Sequence, residues 1–284
     1  MSDWLAEFLA HERLPDGYAT FVEQVARPMA DDVAGRIQAG GLVLGVCGAQ
    51  GSGKSTLAAV LGRLLEQRSL RVARLSLDDL YLSHAARAAL GARVHPLLAT
   101  RGVPGTHDVA LGRRLLEDLR RPGRHVLPTF DKAADDRGEG RVFEGPADVV
   151  LFEGWCVGAR PQPPGDLIAP INALERERDP DGTWRGYVNA ALTGDYQALF
   201  GRIDRLVLLQ APSFEAVLDW RLEQERKLRE RLAREGRSAE RAMSDAQVAA
   251  FIQHYERLTR WILAEMPGRA DAVVRLDERR QPLP

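Results

Sequence analysis

The sequence predicts an α/β fold in which a mainly parallel sheet carries helices on both faces. Three observations lead there. Continuous apolar runs of strand length, such as Leu42 to Cys47 and Val149 to Phe152, have the pattern of strands buried on both faces. Stretches with apolar residues at helical spacing lie between or beside them, as crossovers between parallel strands require. The first three runs end in a glycine-rich turn, in Asp78-Asp79 and in Glu153, so polar chemistry gathers at one edge of the sheet.

Along the chain, Tyr18 to Ala39 reads as an amphipathic helix through Phe21, Val22, Val25, Met29, Val33 and Ile37, ended by Gly40-Gly41. Leu42 to Cys47 is the first strand, and Leu57, Val60, Leu61, Leu64 and Leu65 mark the helix after the glycine-rich turn. Arg71 to Leu77 is the second strand, Asp148 to Glu153 the third, Asp204 to Gln210 the fourth and Ala272 to Leu276 a weaker fifth. Ser83 to Pro146 departs from this alternation. It holds a helical stretch around His107 to Leu119, then His125 to Phe130 and Arg141 to Phe143 as a hairpin around the polar loop Asp131 to Gly140. A helix begins near Ser213, with Glu225/Arg229 and Glu230/Arg234 at four-residue spacing. Ser244 to Gln247 is a capping box for a core helix bearing Val248, Phe251, Ile252, Tyr255, Leu258 and Ile262. The tail, Asp277 to Pro284, has no apolar period and reads as a loose end. Residues 1–284 are therefore expected to form one domain: a core of 18–82 and 147–276, an insertion of 83–146 over the active edge, and a helical lid within 213–241.

With 284 residues the chain can bury a sizeable core. Its 39 Lys and Arg against 40 Asp and Glu argue against a nucleic-acid partner bound through an overall basic field. Cys47 and Cys156, the two cysteines, cannot make a disulfide framework or a four-thiolate zinc site, and are expected as buried thiols. Acids at Asp3 and Glu7 do not suit a signal peptide, and the uncharged stretch from Ile37 to Gly53 is too glycine-rich to span a bilayer. A soluble, cytoplasmic, enzyme-sized protein with no membrane partner is expected.

Gly48-Ala49-Gln50-Gly51-Ser52-Gly53-Lys54-Ser55-Thr56 matches the P-loop pattern, with a buried strand before it and an amphipathic helix after it. The glycines let backbone N–H groups turn around phosphate oxygens at a helix N-terminus. Lys54 is placed to reach the β- and γ-phosphates of ATP, and the Ser55 hydroxyl to ligate Mg2+. The expected fold is thus that of the P-loop NTPases. No Asn-Lys-x-Asp or Leu-Ser-Gly-Gly-Gln occurs, which disfavours a GTPase switch and a transport ATPase. Asp78 and Asp79 follow the second strand directly. In a kinase one such carboxylate accepts the proton of the attacking hydroxyl, or holds the metal through water, while the other anchors the loop. A plain turn or cap is the alternative, at least as good for Asp79. Glu153 ends an apolar strand, where a carboxylate is costly unless a cation such as Mg2+ lies near.

Ser76-x-Asp78-Asp79-x-Tyr81 and Phe152-Glu153-Gly154-Trp155, together with the P-loop, resemble the uridine kinase, phosphoribulokinase and pantothenate kinase group. Within it the chain is most similar to the plant and fungal D-glycerate 3-kinases and their bacterial relatives. Val103-Pro104-Gly105-Thr106-His107-Asp108, Pro128-Thr129-Phe130-Asp131-Lys132 and Glu177 to Arg185 carry that likeness, as do Tyr187-Val188-Asn189 and Trp220 to Glu225. The resemblance implies transfer of the ATP γ-phosphoryl group to the 3-hydroxyl of D-glycerate. It maps the base onto Asp78, the strand-ending carboxylate onto Glu153, and Tyr81 onto the substrate side. Arg101, His107, Asp108, Lys132 and Arg185 are the candidates for holding a hydroxylated acid; for His107-Asp108 a helix cap, and for Arg185 a pair with Asp179 or Asp181, are the structural alternatives. Arg221 to Arg241 holds eight basic and five acidic residues. Most belong to a solvated face, with Arg221, Lys227 and Arg229 the candidates for neutralising the transferred phosphoryl group, Arg221 toward ATP. Two other readings stay open: a kinase for another small hydroxylated acceptor (a nucleoside, a pantothenate-like acid or a sugar), and an ATP-binding P-loop module without an acceptor.

Overall fold

In the computed structural model each of the five apolar runs forms a strand of one parallel sheet. The structure describes residues 3–283 apart from 13, 16, 39 and 236–241. In chain order the strands are β1 (Leu42–Gly48), β2 (Val72–Ser76), β3 (Gly123–Leu127), β4 (Phe130–Asp131), β5 (Asp136–Arg137), β6 (Arg141–Gly145), β7 (Val149–Gly154), β8 (Arg205–Gln210) and β9 (Ala272–Arg275). The main sheet has the order β2-β7-β1-β8-β9. Its centre is β1, buried along its whole length between β7 and β8, so the loop after β1 emerges at the middle of the carboxyl edge. Val46 pairs with Glu153 and Ser76 with Glu153 in register. That register brings the ends of β1, β2 and β7 level, where chain order reverses and α/β sheets bind ligands.

Helices pack on both faces. Lys54–Glu66 buries Leu57, Val60, Leu61, Leu64 and Leu65, and Asp245–Glu265 buries Val248, Ile252, Tyr255, Leu258 and Ile262. The capping box at Ser244 and Gln247 is formed in both directions. Asp3–Glu12, which the periodicity left unread, is a helix that adds Leu5 and Leu9 to the core.

Three expectations need correction. The helix expected over Tyr18 to Ala39 runs as Tyr18–Phe21, a wider π turn Val22–Ala26, and Arg27–Gly35. Pro28 has no N–H to donate, and the wide turn directly before it absorbs that loss. Gly35 then ends the helix early; Ile37 packs on the core from beyond the cap, and Ala39 lies outside the described residues. The loop Asp131 to Gly140 is not wholly irregular, because β4 and β5 pair there as a second small hairpin, between β3 and β6 in the chain. The tail is not loose. The Trp220 indole donates to the Glu278 carbonyl at 2.6 Å, Arg280 pairs with Glu223 and lies over the Trp220 ring, and Leu276 bridges to Pro282. Backbone groups and one ion pair hold a segment that apolar periodicity could not reveal.

Candidate active site

The P-loop leaves β1 and enters Lys54–Glu66 through two glycines with left-handed backbones, Gly51 at φ 79° and Gly53 at φ 87°. A Cβ on Gly51 would stand 2.7 Å from the Trp220 Cβ, so only glycine allows the loop to close against the helix Phe214–Arg234. Gln50 Oε1 and Ser52 Oγ are buried within the loop without a protein partner. Outside it opens a cavity of about 820 Å3, bounded by Gly51–Gly53 and Thr56 and by Tyr18, Lys227, Arg231 and Arg280. A nucleotide phosphate chain at the loop has this cavity beside it for the rest of the molecule.

Ser55 and Glu153 form a corner beside the loop. The Ser55 hydroxyl donates to Glu153 Oε1 at 3.1 Å, and Glu153 Oε2 is buried with no partner among the described residues. An orphaned carboxylate oxygen next to a hydroxyl suits a hard divalent cation whose remaining ligands are phosphate oxygens and water. Among the described residues no group of three or more His, Cys, Asp or Glu side chains is placed to hold a metal ion.

The Asp78-Asp79 pair divides its work. Both lie in the short 3-10 turn Leu77–Leu80 after β2, capped by Ser76. Asp78 Oδ2 accepts from Lys132 Nζ at 2.7 Å and Oδ1 from the Tyr81 hydroxyl at 3.0 Å. Burial alone would raise the Asp78 pKa, but the charges of Lys132 and Lys54 and the Lys132 hydrogen bond prevail and hold it at about 2. Asp79 accepts from the Phe130 N–H at 3.3 Å, and burial, its largest influence, raises its pKa. It ties the hairpin to the sheet edge, and among the described residues it makes no ion pair, the charge of Arg141 acting on it from a distance.

Around Asp78 stands a wall of rings. His107 stacks on Tyr81 with centroids 4.5 Å apart, and its Nδ1 lies 2.6 Å from the Tyr196 hydroxyl. Burial depresses the His107 pKa to about 3, so the ring is neutral. The Tyr196 oxygen accepts from the Gly105 N–H at 2.9 Å, which leaves its own proton for His107 Nδ1. That assignment puts the ring proton on His107 Nε2, which is buried without a partner among the described residues. Tyr196 reaches this position at the end of a π turn, Leu192–Tyr196, which sequence periodicity does not register. Asp108 does cap a helix, accepting from the Leu111 N–H at 3.0 Å, while its second oxygen receives Arg137 at 2.9 Å.

Other expected residues fall elsewhere. Arg185 is buried and committed to Asp179, the Leu167 carbonyl and the Ile168 carbonyl, so it fastens its own helix start and is not presented to a substrate. Arg221 pairs with Glu225 at 2.6 Å, and Glu225 is held in turn by the Met243 N–H. Arg229 binds Asp245 and the Met243 carbonyl; the expected Glu225/Arg229 pair does not form. Arg221, Glu225 and Arg229 recur every four residues on one helix face, whereas Lys227 points to the cavity with Gln224 and Arg231. The three lid candidates therefore cannot act as one cluster, and residues 236–241 of the expected lid lie outside the described residues. Cys47 and Cys156 are buried free thiols, with burial pushing Cys47 up to about 12.

No protein-family model matches the sequence. The uncharacterized kinase mug58 of Schizosaccharomyces pombe is 35% identical over 225 residues, 75% of this chain and 78% of that protein. The chloroplastic D-glycerate 3-kinase of Arabidopsis thaliana is 30% identical over 263 residues, 85% of this chain and 54% of that enzyme. A solved D-glycerate 3-kinase from Cryptococcus neoformans superposes with a TM-score of 0.75 at 28% identity, covering 92% of this chain and 98% of that one. The chain belongs to the glycerate 3-kinase family of P-loop kinases. As a member it is an ATP-dependent phosphotransferase acting on a small molecule. Among its described residues no helix is long and apolar enough to cross a membrane.

Proposed function

We propose that this kinase phosphorylates D-glycerate at the 3-hydroxyl, with Mg2+ held by Ser55 and Glu153. The observation that carries the reading is Asp78, set beside the P-loop lysine and gripped by Lys132 from the insertion that carries the family likeness. Arabidopsis and Cryptococcus relatives bearing that substrate's name support the acceptor. Lys54 and the loop N–H groups bind the phosphate chain and gather the charge that spreads over the transferring group. Bound Mg2+ would neutralise the β- and γ-phosphate oxygens.

Asp78 meets the acceptor as an anion. With Lys132 and Lys54 beside it the carboxylate is ionised at neutral pH and free to accept a hydrogen bond from an alcohol. In a loose phosphoryl-transfer transition state the hydroxyl loses its proton late, so what Asp78 contributes first is orientation: it accepts the hydroxyl's hydrogen bond and aims the oxygen along the line of transfer. Lys132 and Tyr81, now on its two oxygens, shift or share them when the acceptor arrives. The test is the position of the phosphate. Product made from D-glycerate, ATP and Mg2+ should feed enolase only after a phosphoglycerate mutase is added; direct conversion by enolase would mean 2-phosphoglycerate and would overturn the assignment.

A further inference from the structure

An acid acceptor needs a cation for its carboxylate as well as a partner for its hydroxyl, and the cations between Ser83 and Pro146 around Phe130, Tyr81 and Asp78 differ in how free they are. Arg87 is fully buried and binds the Leu82 carbonyl, the Asp135 carbonyl and Asp135 Oδ2, so its guanidinium holds the fold. Arg137 joins the Tyr81 carbonyl to Asp108. Lys132 neutralises Asp78 itself. Arg101 is different. Its side chain is 27% exposed, and among the described residues its guanidinium has one hydrogen-bond partner, Asp135 Oδ1.

Arg101 also lies on the acceptor side of the site. Its guanidinium carbon sits 5.6 Å from the centre of the Phe130 ring, which packs edge-on against Tyr81 at 5.1 Å, and Tyr81 holds Asp78. Its backbone carbonyl accepts from the Tyr255 hydroxyl, whose ring lies against Trp155 two residues past Glu153. One guanidinium, an aromatic floor and Asp78 thus share a single wall.

We infer that Arg101 is the seat of the acceptor's carboxylate, and that Asp135 is its internal stand-in, released when the acceptor binds. The inference rests on the carboxylated acceptor proposed above. The exchange is balanced. One carboxylate replaces another on a planar, bidentate donor, and Asp135 keeps Arg87 on its other oxygen, so no charge is left buried and unpaired. Asp135 belongs to the β4–β5 hairpin that also carries Lys132 over Asp78. Freeing Arg101 would loosen one fastening of that hairpin as the acceptor takes its place.

The test compares D-glycerate with glycerol, which has the hydroxyls and lacks the carboxylate, in wild type, Arg101→Gln and Asp135→Asn at saturating ATP and Mg2+. For Arg101→Gln, loss of a charge-assisted pair should raise KM for D-glycerate on the order of 10²-fold while leaving KM for ATP and turnover of glycerol nearly unchanged. For Asp135→Asn, removal of the competing carboxylate should lower KM for D-glycerate by about 3- to 10-fold, because more of the enzyme is competent to bind. An Arg101→Gln enzyme that keeps its preference for D-glycerate overturns the inference and leaves the kinase assignment standing. So does an Asp135→Asn enzyme whose KM rises, since Asp135 would then be a fastening only. Wild type preferring glycerol would overturn both together. If Asp135→Asn does not fold, the Arg101→Gln arm decides alone.

Discussion

Asp78 concentrates the chemistry at the scale of single residues. Replacing it by Asn keeps the shape and removes the charge that orients the acceptor, so kcat should fall on the order of 10²–10⁴ with KM for ATP nearly unchanged; steady-state assays of the Asp78→Asn enzyme measure both. The same carboxylate gives a pH signature. Its folded pKa of about 2 lies below the ordinary value of 3.8, so its stabilising contribution is complete above about pH 4 and is lost as the pH falls toward 2. Acid titration of Asp78→Asn should lack that part of the wild-type loss of stability. Glu153→Gln should raise the Mg2+ concentration for half-maximal activity on the order of 10–100-fold, read from a metal titration at fixed ATP. Much of the placement at this scale was legible beforehand, because Lys54 and Ser55 open the helix that follows the glycine-rich turn, while Asp78 follows β2 and Glu153 ends β7, where neighbours in sequence fix neighbours in space. For Arg185 the structural alternative read from the sequence holds, because its partner Asp179 lies on the same short segment. Tyr196 and Asp135 were invisible, since their partners are 91 and 34 residues away in sequence.

At the scale of elements, the π turn Leu192–Tyr196 and the hairpin β4–β5 are what sequence periodicity missed, and both deliver side chains to the acceptor side. Tyr196→Phe removes one hydroxyl that serves two groups. It leaves the Gly105 N–H and His107 Nδ1 without partners, which should cost about 1–3 kcal/mol in denaturant unfolding. It also frees the imidazole tautomer, so nitrogen NMR of labelled His107 should change from a single protonated Nε2 to a mixture. Unchanged tautomer signals in the variant would contradict the assigned role. The helix Phe214–Arg234 separates charges that are adjacent in sequence: the helical period sends Arg221 and Arg229 to a face tied to Glu225 and Asp245, and Lys227 and Arg231 to the cavity.

Across the whole molecule, the near-balance of 39 basic against 40 acidic residues resolves into local separation. Acids stand at the strand ends around Lys54, while cations line the insertion and the cavity beside the P-loop. The mainly parallel sheet was readable because apolar runs of strand length alternate with helical stretches, whereas its order β2-β7-β1-β8-β9 is seen only in the structure. The docking of the tail was not, because Glu278 and Arg280 act through a backbone carbonyl and an ion pair. The most direct test of the account is ADP release by the purified full chain with ATP and Mg2+, with and without D-glycerate. Release that rises on adding D-glycerate and collapses in Asp78→Asn is the predicted result; release indifferent to D-glycerate, or equal in the two enzymes, would contradict it.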